Sequence, residues 1–252
     1  MKFLRVIVAC VLLLQPPTLL AEDITVAVAS NFTTVLRELA LDFQKRSGHR
    51  VVLAAGSSGR LYAQVVNGAP YDLFFSADVE KPAQLVADGL ADADSLFTYA
   101  LGALVLWSAD PAMKVINGEV LREANSARVA LANPRLAPYG AAAFQVLEKL
   151  AAQGILVENR VTGENITQAY QYVETGNVPV GFVALSQVIE EGRIRRGAGW
   201  IIPQDMYTPI RQDVVLLNRG KANQAAREFL DYVRSDEGKS VIQKFGYSTD
   251  NK

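Results

Sequence analysis

Hydroxyl side chains stand at two places where an apolar run gives way to a helical pattern: Val26-Ala-Val-Ala-Ser30-Asn31 and Val51-Val-Leu-Ala-Ala-Gly56-Ser57-Ser58-Gly59. Ser30 and Ser58 lie 28 positions apart. A strand that runs straight into a helix N-terminus gathers unpaired N–H groups, hydroxyls and the positive end of the helix dipole at one point, which suits an anion. A fully ionised oxyanion only accepts hydrogen bonds, so neutral donors satisfy it, whereas a buried Asp or Glu would favour ligands that keep a proton. Neutral donors also permit release, because charge-assisted bonds are roughly twice as strong. Each junction has a plainer reading. Ser30-Asn31 can simply cap the next helix, and Gly56-Ser-Ser-Gly59 can be no more than a tight turn.

The elements that must position these residues alternate between strand and helix, which predicts an α/β architecture. Strand Ile24 to Ala29 leads to a helix from Thr33 whose Val35, Leu36, Leu39, Ala40 and Phe43 share a face, ending at Gly48. Strand Val51 to Ala54 feeds a helix from Gly59 to Asn67, and Leu73 to Ser76 feeds another from Val79 to Gly89. After Tyr99 the pattern restarts with Leu101 to Trp107, strand Arg128 to Ala132, helices Ala141 to Gln153 and Ile166 to Thr175, and strand Val178 to Val183. The halves look alike. Val214 to Leu217 and the helices from Lys221 to Phe245 fit best back on the first half, so extended crossings near Ala100 to Leu104 and Asp205 to Gln212 would form a hinge below a cleft.

Composition narrows the function. The 252 residues are 50% hydrophobic with a formal net charge of −1, which argues against a nucleic-acid-binding face. Lys2 and Arg5 precede the apolar run Val6 to Leu14, far shorter than the ~20 residues that span a bilayer, and Ala21 offers a cleavage point before Glu22. This reads as a secretory signal over residues 1–21. The only cysteine, Cys10, lies within it, leaving an exported chain with no disulfide and no thiolate ligand.

An enzyme acting on a phosphate-bearing substrate is the rival class, but the chain has no Gly-x-Ser-x-Gly elbow and no phosphate loop ending in Gly-Lys-Ser/Thr. Its sole histidine, His49, sits in the turn Ser47-Gly-His-Arg50, where a solvated position is expected. Arg60, in a first helical turn, is expected to point to solvent. Asp72 and Asp78 are expected to cap a turn and a helix, since they would repel an anion.

The order Ala29-Ser30-Asn31, Gly56-Ser-Ser-Gly59, Gly68-Ala-Pro-Tyr-Asp-Leu-Phe-Phe-Ser-Ala-Asp78, Asn133-Pro134 with Pro138-Tyr-Gly140, and Gly176-Asn-Val-Pro-Val-Gly181 resembles the periplasmic molybdate-binding proteins of ABC importers. The resemblance covers nearly the whole chain after the signal. It implies a type II periplasmic binding fold: two similar three-layer lobes with mixed, mostly parallel sheets, residues 22–101 and 208–252 forming one lobe and 102–207 the other. It implies capture of molybdate, and of tungstate with it, by a periplasmic monomer that needs no cofactor and hands its cargo to a membrane permease; the alternative is a binding protein for another tetrahedral oxyanion such as sulfate. It places the contacts at Ser30, Asn31 and Ser58 from one lobe and at Tyr139 and the backbone of Ile166 from the other, all by hydrogen bonds. Where many relatives carry a Tyr after the Val-Pro-Val-Gly strand this chain has Ala184, so the Tyr139 phenol is the expected replacement donor.

Overall fold

The computed structural model describes residues 21–123 and 128–249, so the proposed signal segment lies outside the described residues. The first part of the chain runs β1 (Asp23–Ala29), α1 (Thr33–Ser47), β2 (Arg50–Gly56), α2 (Ser58–Val66), β3 (Leu73–Phe75), α3 (Glu80–Ala87) and β4 (Phe97–Gly102). The middle runs β5 (Leu104–Ser108), α4 (Val120–Glu123), β6 (Val129–Ala132), α5 (Pro138–Ala152), β7 (Arg160–Gly163), α6 (Ile166–Glu174), β8 (Val180–Ala184), β9 (Ile189–Glu190), β10 (Arg193–Ile194) and β11 (Ala198–Ile201). The last part runs β12 (Ile210–Leu216), α7 (Gln224–Arg234) and α8 (Asp236–Lys244).

Two five-stranded mixed sheets result, in the orders β2-β1-β3-β12-β4 and β11-β5-β8-β6-β7, each the centre of one lobe. In the first, β2, β1 and β3 are parallel, and β12 enters antiparallel between β3 and β4. The returning segment therefore completes the first sheet from within, and β12 carries an irregularity between Gln212 and Asp213. The apolar face of α1 is buried as its spacing requires, and the helix stops at Gly48, whose φ of 78° is left-handed. The run from Leu101 to Trp107 is two strands, not one: β4 ends in the first sheet, and β5 begins in the second after Ala103.

Aromatic packing fills the floor of the first lobe beneath Ser30-Asn31. Phe32 lies 4.5 Å from Tyr99 and 5.4 Å from Tyr247 between ring centroids, and Tyr99 meets Phe75 edge-on at 5.1 Å. Ser248 pairs with Leu101 of β4, so the C-terminal segment is fastened to the crossing between lobes. His49 corrects the expectation of a solvated turn: it is 3% exposed, accepts the Glu22 N–H at Nδ1 (3.1 Å) and lies beside the Phe43 ring. The chain folds back over it, a long-range event that its local turn did not signal. Among the described residues, no helix is long and apolar enough to cross a membrane.

Candidate functional site: an enclosed cluster of neutral donors

Each residue singled out in the sequence stands at the start of a helical turn. Ser30-Asn31 opens a single 3-10 turn after β1, Ser58 is the first residue of α2, Tyr139 is the second of α5, and Ile166 is the first of α6. Initial turns leave backbone N–H groups without an intrahelical acceptor. Among the described residues, no protein group accepts from the backbone N–H of Asn31, Ser58, Tyr139 or Ile166. Asn165 caps α6 by accepting from Gln168 N at 3.0 Å, which leaves the Ile166 amide free.

Interlobe hydrogen bonds bring these turns together. Thr167 Oγ1 donates to Ser30 O at 3.1 Å, joining the start of α6 to the end of β1. Gly59 N donates to Leu136 O at 2.9 Å, joining α2 to the turn ahead of α5. Gln212 Oε1 accepts from Asn31 Nδ2 at 2.8 Å while its Nε2 donates to Tyr139 OH at 3.3 Å. The result is enclosed: Ser58 and Tyr139 are 1% exposed, Ile166 2% and Asn31 5%. Grooves of about 840 and 470 Å³ open along the interlobe boundary, one bordered by Ser30 and Asn31, the other by Asp78 and Pro138. A solute can reach the enclosed positions only when the lobes part.

The side chains divide the work. Ser58 Oγ accepts from Ala77 N at 2.9 Å, so its own proton is left to donate. Both N–H bonds of the Asn31 amide are engaged, by Gln212 Oε1 and by Tyr247 OH at 3.0 Å, so Asn31 offers the site its backbone. The Tyr139 phenol, expected to replace the donor missing at Ala184, is instead engaged by Gln212 and Tyr247. What Tyr139 turns toward the site is its N–H. Burial, reinforced by neighbouring phenols, pushes Tyr139 well above the usual tyrosine range, which keeps it protonated. Ser57 Oγ and Thr33 Oγ1, beside the two junctions, are buried without a hydrogen-bond partner, a condition that costs about 1–3 kcal/mol per group.

No ionised side chain belongs to this cluster. Asp78 is occupied by the N–H and ammonium of Lys81 at 3.1 and 2.5 Å, and Asp72 accepts Thr25 N at 2.7 Å. Arg60 is largely exposed as expected, but it also crosses the cleft to Glu164 at 2.9 and 3.1 Å. Sequence reasoning missed Gln212, Tyr247, Ser186 and Thr167. Gln212 alone carried a signal, a lone amide ahead of the apolar strand Val214 to Leu217.

A fold of two lobes with helix N-termini converging across a hinge is one that binds a small solute by closing. The family model for bacterial extracellular solute-binding proteins matches residues 24–248. The chain belongs to that family. It is 47% identical over 231 residues to the molybdate-binding protein ModA of Rhodobacter capsulatus, covering 91% of this chain and 90% of that one. It is 45% identical over 227 residues to ModA of Azotobacter vinelandii, covering 90% of each. Among solved structures, the periplasmic molybdate-binding protein of Azotobacter vinelandii superposes with a TM-score of 0.82 at 39% identity, covering 90% of this solute-binding protein and 100% of the other chain.

Proposed function

We propose that this solute-binding protein captures molybdate, and tungstate with it, in the enclosed cluster between its lobes and delivers it to the permease of an ABC importer. The observation that carries this reading is the set of unpaired N–H groups of Asn31, Ser58, Tyr139 and Ile166, joined by the hydroxyls of Ser30 and Ser58. They are all donors, they are neutral, and they belong to four separate turns. The oxyanion supplies the acceptors these groups lack. Each hydrogen bond to a charged partner contributes about 1.5–3 kcal/mol net, so affinity comes from closing both walls around one ligand. The relatives named for molybdate binding support the choice of ligand.

The same reading makes the protein a non-catalytic periplasmic monomer, exported by the segment ahead of Glu22, with residues 22–101 and 208–252 as one lobe and 102–207 as the other. Thermal unfolding with molybdate, tungstate, sulfate and phosphate tests it. Molybdate at ~100 times its Kd stabilises by about 2.7 kcal/mol. An equal shift from sulfate or phosphate at the same concentration would overturn the assignment to molybdate.

A further inference from the structure

Tyr247 lies outside every element that opens onto the cleft, yet it touches both walls. Its ring is 5% exposed and packs edge-on against Phe32, and the next residue, Ser248, pairs with Leu101 of the β4 crossing. Its hydroxyl lies 3.0 Å from Asn31 Nδ2, 3.1 Å from Asn31 O and 2.9 Å from Ser186 Oγ, and it meets the Tyr139 phenol as well. Asn31 belongs to the first lobe, Ser186 and Tyr139 to the second. Gln212, on the other crossing, makes a parallel link: it accepts from Asn31 and Tyr99 and donates to Tyr139.

We propose that Tyr247, with Gln212, is a positioning residue for oxyanion binding: it fixes the Asn31 turn from behind and ties it to the second lobe, so that it sets the rate of ligand release. This rests on the oxyanion reading given above. When the lobes part, the bonds from Asn31 to Tyr247 and Gln212 stay within the first lobe. Those to Ser186 and Tyr139 break. The phenol therefore contributes bonds that exist only in the closed form, and a group that is both donor and acceptor without charge is suited to that place. Removing the hydroxyl leaves Gln212 still holding the turn but weakens the tie to the opposite wall, so the cleft reopens sooner. Ligand entry, which occurs through the open form, is unaffected.

The experiment is Tyr247→Phe, which keeps the ring, compared with wild type and with Tyr232→Phe, which loses a phenol bond to Asp42 far from the cleft. Association and dissociation rates are measured separately with radiolabelled molybdate. Dissociation from Tyr247→Phe is expected to rise tenfold or more with association within twofold of wild type, while Tyr232→Phe matches wild type in both. Ser186→Ala, which removes the second-lobe partner, raises dissociation as well, and the double variant is less than additive. Should Tyr247→Phe not fold, Ser186→Ala carries the same test. Unchanged dissociation in these variants, or a loss confined to association, overturns the proposal. If wild type binds no molybdate, the oxyanion reading falls. Because the proposal rests on that reading it falls too, and the absence of wild-type binding distinguishes this outcome from a failure of the proposal alone.

Discussion

Ser58 and Ser30 occupy corresponding positions but differ in what holds them. Ser58 Oγ satisfies the buried Ala77 N–H, so Ser58→Ala is expected to lower both ligand affinity and the stability of the unliganded protein, the latter by about 1–3 kcal/mol. Ser30 Oγ makes no hydrogen bond among the described residues, so Ser30→Ala is expected to lower affinity alone. Unfolding midpoints with and without molybdate separate the two, and equal apo losses would contradict the distinction. Gly102 is required for a different reason: a Cβ there would stand 2.0 Å from Tyr139 OH and 2.7 Å from Gln212 Nε2. Gly102→Ala should destabilise by about 1–3 kcal/mol in chemical denaturation through overpacking, and should weaken molybdate binding by displacing both side chains. Ser30 and Ser58 could be read from the sequence because an apolar run meeting a small-residue helix start is a local pattern, whereas Ile166 is suggested only by the family resemblance. Tyr247, 216 positions from the Asn31 it holds, could not, and the local signal at Gln212 did not reveal a partner 181 positions away. The contact between Gln212 and the Tyr139 phenol, 73 positions apart in sequence, was out of reach for the same reason.

At the level of elements, helix boundaries were legible to within a few residues, since the stop at Gly48 and the apolar faces of α1 and α2 obey local rules. The order of the sheets was legible only in part. Parallel pairing of β1 with β2 and β3 follows from strand–helix alternation, but the insertion of β12 between β3 and β4 depends on a return across about a hundred residues that no short pattern records. This strand brings Gln212 beneath the site, fully buried, beside Tyr99, Tyr139 and Tyr247. Burial pushes all three phenols up, Tyr99 and Tyr139 well above the usual 10.0, and for Tyr99 the neighbouring Tyr247, Asp213 and Asp78 add to the effect. A raised folded-state pKa means that this contribution to stability is complete below the unfolded value, near 10, and is lost as pH rises through the folded values. The unfolding midpoint is therefore expected to be insensitive to these groups at neutral pH and to fall above about pH 10. A fall that begins nearer pH 8 would indicate that the phenols are not held this way.

For the whole molecule, enclosure makes opening obligatory for exchange, so contacts across the boundary govern residence time. Arg60 and Glu164 form such a contact at the rim, with side chains 58% and 39% exposed. Being solvated, the pair should matter little: Glu164→Gln is expected to speed molybdate release no more than a few-fold at low salt, and the difference should vanish near 1 M salt, where the Debye length is about 3 Å. A large effect that persists in high salt would mean the pair acts through packing. The neutrality of the enclosed donor cluster has an electrical consequence. With the proposed signal, residues 1–21, removed, Lys2 and Arg5 go with it, and the chain would keep 23 basic and 26 acidic side chains, a formal charge of −3. A bound dianion meets no countercharge and displaces no proton, so the loaded protein carries −5. It should run measurably faster toward the anode in native electrophoresis, and its heat of binding should be the same in buffers of different ionisation enthalpy.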